Sequence, residues 1–294
     1  LSWDNTTTRG YASFLPDRVI SWTDIMKNEL IKFHDVDEKK IYVGGVAHFD
    51  DYYNKKPIPK SKFFEGLNLD VNKNLITFFT KGPSTFQFNP NITKIICEAI
   101  QNSEINNSQL ITRIHPLFYK NKNGKPLFGS ALSLFEELNT KYKFLRINNP
   151  KILSYDENFD ISREEQEMLI NLIYHSDVIV NIFSTINIEA CIFNKPIVNV
   201  NFDNLEKMYN YDHKKNWRQN LHKLDKNLDH NQRIVKSGSI KLANNPKELI
   251  SYINDYLKNP QNNSNERKKI VDIEIGKFKG NASKNIASII ENFL

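Results

Sequence analysis

The 294-residue chain has two cysteines, three methionines and three tryptophans. Two thiols, Cys97 and Cys191, cannot build a disulfide framework or a cysteine-based zinc site. Both lie in apolar, helix-like runs, where a reduced buried thiol is expected. No run approaches the roughly 20 apolar residues that span a bilayer, and no charged-then-apolar leader pattern follows Leu1. Neither G-x-G-x-x-G nor a P-loop pattern occurs, which disfavours a dinucleotide cofactor and Walker-type phosphate binding. There is no zinc-finger spacing, no RNP-like aromatic box and no solenoid period. His213, His222 and His230 lie in a polar stretch without a fixed His-x-x-x-His pair, so no metal site is expected.

What remains is ordinary globular composition, with 39% hydrophobic and 25% charged residues. Forty basic against 34 acidic side chains leave a net charge of +6. That mild excess is scattered, so nucleic acid is not an expected partner. The expectation is a cytoplasmic protein, with room for peripheral association at the inner face of a membrane.

Hydrophobic periodicity divides the chain. Residues 18–43 read as strand, helix, strand, closed by Gly44 and Gly45. Residues 51–69 carry Pro57 and Pro59 among lysines and aromatics without a sustained period, and read as a linker. From residue 75 a longer alternation begins: strands at 75–79, 110–114, 142–147, 177–182 and 196–200, with helices at 92–100, 131–138, 163–174 and 186–193 between them. Ser162 caps the third of these helices, with Glu165 three residues on. Parallel strands need crossovers of this length, so the pattern predicts an α/β domain with a Rossmann-like parallel sheet. Residues 203–238 are polar and show no clear period. A strand at 239–243, a helix at 246–257 and a mostly helical end broken at 276–280 complete the chain.

Ligands of open parallel sheets bind beyond the carboxyl ends of the strands. After the 177–182 strand comes Phe183-Ser184-Thr185, with a helix directly behind. Amides at a helix start and the hydroxyls of Ser184 and Thr185 suit a phosphate. Glu189, one turn later, is placed to accept from the hydroxyls of a nucleotide ribose. The competing reading makes Ser184 or Thr185 a simple cap and Glu189 a solvated helix residue. After the 110–114 strand, His115 precedes Pro116, and Arg113 two residues earlier points to the same side. Both side chains are candidates for a phosphate or leaving oxygen. Lys81 and Gly82 resemble a phosphate-approach loop. Asp4, just past an apparent strand end, is a candidate general base, with a turn-forming role as its alternative. Trp217 and Arg218 are read as part of a loop over substrate or as cover for the core.

Ser184-Thr185-Ile186-Asn187-Ile188-Glu189-Ala190 with Lys195-Pro196 resembles the donor-binding segment of GT-B glycosyltransferases. Arg113-Ile114-His115-Pro116 resembles the His-Pro motif of bacterial surface-polysaccharide transferases, including GT-B sialyltransferases and glycerophosphotransferases. The segment 40–50 is similar to the one that closes the amino-terminal domain in this superfamily, which also contains UDP-N-acetylglucosamine 2-epimerase. Gly280-Asn281-Ala282-Ser283 and the apolar helix after it resemble the family's terminal helix.

The resemblance implies a GT-B-like chain. Residues 1–50 would be the remnant of a truncated amino-terminal, acceptor-side Rossmann-like portion, and 51–70 a linker. Residues 71–260 would form the carboxyl-terminal donor-binding domain, and 261–294 a helix crossing back. Only about 45 residues precede the linker, whereas the first domain of the family it resembles is commonly well over 100, so the chain is expected to be a fragment without most of its acceptor-binding elements. The implied activity is transfer of a sugar from a nucleotide-activated donor to a surface-polysaccharide or glycolipid acceptor, with no cofactor. Lys81, Gly82, Arg113, His115, Ser184, Thr185 and Glu189 would hold the donor, without a metal. His115 and Asp4 would act in catalysis, and the base would be selected around residues 148–155. A related transferase, an epimerase and a non-catalytic nucleotide-binding module are the competing readings.

Overall fold

The computed structural model describes residues 3–8, 16–122, 125–152, 162–209 and 225–293. His213, Trp217, Arg218 and His222 lie outside the described residues, as does 153–155 of the expected base-selecting stretch.

Six parallel strands form the main sheet: β3 (Asn74–Phe79), β4 (Ser108–Arg113), β7 (Leu145–Asn148), β8 (Val178–Asn181), β9 (Ile197–Val200) and β10 (Lys241–Ala243). Their order is β10-β9-β8-β3-β4-β7. The chain builds outward from β3 through β4 to β7, then returns to β8 on the other side of β3. The β3/β8 junction is therefore the topological switch point, where the helices on either side diverge and leave a crevice. A two-residue hairpin, β5 (Asn121–Lys122) with β6 (Lys125–Pro126), lies between β4 and β7.

Alternation along the strands explains the two-sided core. Leu75, Ile111, Ile179 and Ile197 face one layer, which includes α7 (Arg163–His175) and α8 (Ile186–Ile192). Ile76, Leu110, Val178 and Val198 face the other, which includes α5 (Asn89–Gln101) and α10 (Pro246–Lys258). Helix α6 (Gly129–Lys141) packs beside β7. Ser162 accepts from the Glu165 amide at 3.2 Å and caps α7.

Ahead of the sheet, β1 (Val19–Ser21) and β2 (Ile41–Val43) pair in parallel around α2 (Asp24–His34). Val19, Leu30, Val36 and Ile41 form its small core. An ion-pair network ties this unit to the rest. Arg233 on α9 (Asp229–Ser237) meets Glu29 at 2.6 Å and Glu274 on α11 (Ser264–Glu274) at 2.7 Å.

The last helix, α12 (Ala282–Glu291), lies against the turn that follows β2. Asn285 donates to the carbonyls of Val43 and Gly44 at 3.1 and 3.0 Å. A Cβ on Gly44 would stand 2.3 Å from Ile20 and 2.8 Å from Ile286, so the approach requires glycine.

Three expectations change. Residues 51–70 hold two short helices, α3 (Asp50–Asn54) and α4 (Lys60–Gly66), with Phe63 and Phe64 buried in the sheet's core. Elements of five and seven residues are too short to print a helical period. The polar stretch 203–238 contains α9, whose buried residues include His230 and Asn231 rather than aliphatics alone. Asp4 lies in a turn at 3–4 that leads into α1 (Asn5–Thr8), not in or at the end of a described strand. Among the described residues no helix is long and apolar enough to cross a membrane.

Candidate active site

A cavity of about 420 Å³ opens where β3, β4 and β8 end. Strand β4 delivers Arg113, Ile114 and His115 to its lining, and the β8–α8 turn delivers Ser184, Thr185, Ile186 and Glu189. Five of the residues expected from sequence thus meet in one space.

His115 leaves β4 with its backbone N–H donating to the Thr80 hydroxyl at 2.8 Å. Its Nδ1 accepts from the Leu117 amide at 3.1 Å, capping the 3₁₀ turn Pro116–Tyr119. A neutral ring bonded in this way carries its proton on Nε2. Burial, then the charges of Lys81 and Arg113, lower its pKa to about 4. At neutral pH the ring is an uncharged donor.

The β8–α8 turn is held from below by three fully buried asparagines. Asn181 and Asn199 both donate to Asn187 Oδ1, at 2.9 and 2.8 Å. Asn199 Oδ1 accepts the Phe183 amide at 2.9 Å. Phe183 sits at φ 33°, in the left-handed region that an L residue occupies at a penalty. The carboxamide network supports that conformation and thereby places Ser184. The Ser184 Oγ is buried and has no hydrogen-bond partner among the described residues. No side-chain hydrogen bond caps α8 at Thr185 either. Glu189 is buried, not solvated. Its carboxylate accepts from the Tyr52 phenol and from Thr185, while burial pushes its pKa up.

The two expected cations are already engaged. Arg113 pairs with Glu165 and donates to Asn148 Oδ1 at 2.6 Å. Lys81 pairs with Asp225 and does not belong to the cavity lining, although its Nζ reaches the Phe183 carbonyl at 3.4 Å. A buried cation without a counter-charge is strongly penalised, which is why each has found a carboxylate. Gly82 packs beside the His115 turn, where a Cβ would lie 3.1 Å from Leu117 and 3.9 Å from His115 Cε1. Asp4 is also outside the lining; it acts electrostatically on His230, as does Lys81.

Sequence reasoning missed His48, Tyr52 and Gln166, all in the lining. His48 is packed against Trp22 and Phe49, with ring centroids 5.8 and 4.0 Å away, and burial lowers its pKa. His48 and Tyr52 lie in or beside the segment read as linker. Their aromatic and titratable character was the available signal. Among the described residues no group of three or more His, Cys, Asp or Glu is placed to hold a metal ion.

Comparison with solved structures gives the class. The chain is similar to UDP-GlcNAc 2-epimerase from Neisseria meningitidis bound to UDP-GlcNAc, with a TM-score of 0.59 and 16% identity over 94% of this chain and 62% of that one. It is similar to an S. aureus MnaA–UDP co-structure, with a TM-score of 0.61 and 15% identity over 95% and 61%. It is also similar to a variant of the wall teichoic acid polymerase TagF soaked with CDPG, with a TM-score of 0.55 and 14% identity over 94% and 56%. No family model and no curated protein matches the chain. The fold is of the Rossmann-like GT-B type. The chain spans about three-fifths of the length of these structures.

Proposed function

We propose that this chain is the donor-binding part of a glycosyltransferase, moving a sugar from a nucleotide-activated donor to a surface-polysaccharide or glycolipid acceptor. One observation carries the reading: a neutral His115 with its proton on Nε2, an unpartnered Ser184 hydroxyl and a buried Glu189 carboxylate line one cavity at the switch point of the sheet. The first two suit a diphosphate and the third suits the hydroxyls of a ribose.

In this reading the acceptor hydroxyl attacks the anomeric carbon of the donor, and the nucleoside diphosphate departs. Negative charge develops on the leaving oxygen. His115 Nε2–H, the Ser184 hydroxyl and the start of α8 stabilise that charge, while the Thr185 hydroxyl is already donated to Glu189. Arg113 and Lys81 contribute less than free cations would, since Glu165 and Asp225 offset them. Asp4 is proposed to take the acceptor's proton, although it lies outside the cavity lining. Asp4→Asn should then lower turnover at least tenfold and leave nucleotide affinity unchanged.

Thermal shift with UDP, CMP, CDP and GDP tests the binding step, because a ligand that binds the folded state raises the melting temperature. A donor panel tests the chemistry. Released free nucleotide with a glycosylated acceptor supports transfer, a changed sugar on intact nucleotide marks an epimerase, and binding without turnover marks a binding module.

A further inference from the structure

One wall of the cavity does not come from the large sheet at all. It comes from the 3₁₀ turn Ala47–Phe49 and the α3 helix that follows, which bring His48 and Tyr52 into the lining. Tyr52 is 3% exposed, and its phenol donates to Oε2 of Glu189, 137 residues away in sequence. The ring is gripped on two sides, with centroids 5.6 Å from Phe49 and 5.7 Å from Phe193. Its helix is anchored in turn by the end of the chain. The Asp50 carboxylate accepts the Ala282 and Ser283 amides at 2.9 and 2.8 Å, and Asn54 donates to the Gly280 carbonyl at 2.8 Å.

We propose that Tyr52 is a positioning residue for ribose recognition: its phenol fixes one oxygen of the Glu189 carboxylate and leaves the other to accept the ribose hydroxyls. The inference rests on the reading that Glu189 meets the ribose. A carboxylate offers about four acceptor sites on two oxygens, and the phenol and Thr185 use two of them. Phe79, Leu169 and Ile186 are also in the cavity lining and offer a rotated carboxylate no hydrogen bond in place of the phenol's. Tyr52 thus selects the rotamer in which the free oxygen serves the ligand. The Asp50 anchor makes that selection depend on the docked α12 helix.

Calorimetry on the whole chain with UDP against 2′-deoxy-UDP, and CDP against 2′-deoxy-CDP, separates positioning from packing. The parent chain should prefer the ribonucleotide about tenfold, the size of one hydrogen bond to a charged group. Tyr52→Phe keeps the ring and should erase that preference by weakening the ribonucleotide alone. Equal weakening of both nucleotides, or a preserved preference, overturns the proposal. Should Tyr52→Phe not fold, Tyr52→Leu, which likewise lacks the phenol, replaces it. The preference should again be lost, whereas a retained preference counts against Tyr52. A parent chain that binds a nucleotide yet ignores the 2′-hydroxyl instead removes the Glu189 reading itself, and the proposal with it.

Discussion

Two corners of the same sheet edge have been finished in opposite ways. At the β4–β7–α7 corner the charges are paired with one another: Arg113 has Glu165 and Asn148, and the other Glu165 oxygen accepts the Lys151 amide at 2.9 Å. At the β8–α8 corner the asparagine network holds the turn from beneath, and the Ser184 hydroxyl above it, like Asn181 Oδ1, has no hydrogen-bond partner among the described residues. The first corner is a strut, and on the proposed reading the second is a receptor. Charge near a cavity is thus a poor guide to binding, because buried charge is usually already spent within the fold. Unmet hydrogen-bonding capacity is the better guide, since burying it without a partner is unfavourable unless a ligand supplies one.

The largest effect that could break this contrast belongs to the strut. Glu165→Ala leaves a buried guanidinium unpaired and should destabilise the fold by about 3–5 kcal/mol in chemical denaturation. A loss below about 1 kcal/mol would mean that Arg113 is free to serve a ligand after all.

Next comes acid. Unfolded His115 titrates near 6.5 and folded His115 near 4, so the unfolded chain binds the extra proton between these values. Its contribution is complete above pH 6.5 and is lost as pH falls toward 4, by roughly 3 kcal/mol at most. Denaturation series over that window should be flatter for His115→Gln than for the parent chain. Identical pH slopes would show that the ring is not held neutral.

Asn199→Ala removes the acceptor for the Phe183 amide, and should be destabilising by about 1–3 kcal/mol while also weakening nucleotide binding. Smallest in stability is Ser184→Ala, expected within about 0.5 kcal/mol of the parent because the hydroxyl bonds nothing in the fold. Its nucleotide affinity should nevertheless drop about fivefold to tenfold. A stability loss as large as that of Asn199→Ala would place Ser184 with the strut.

Much of this architecture is legible in the sequence because it is local. The strand–helix alternation from residue 75, the Ser162 cap and the hydroxyls of Ser184 and Thr185 at a strand end each follow from neighbours a few residues apart. His115 is legible for the same reason, since Pro116 marks the exit from β4. What was not legible depends on distant partners. Arg113 and Lys81 look like ligand-binding cations until Glu165 and Asp225 arrive, the latter 144 residues on. Tyr52 and His48 sit in or beside a stretch too irregular to show a period, and Tyr52 gains meaning only through Glu189. Helix α9 hid because it buries polar groups, His230 and Asn231, against the amino-terminal turn and the Asp225 carbonyl.

The most direct test of the receptor corner is calorimetric titration of the chain and of its Glu189→Ala variant with UDP and CDP. Saturable one-to-one binding that weakens about tenfold in the variant is the expected result. Equal affinity in the two proteins, or no heat from either nucleotide, would contradict the assignment of this cavity to a nucleotide.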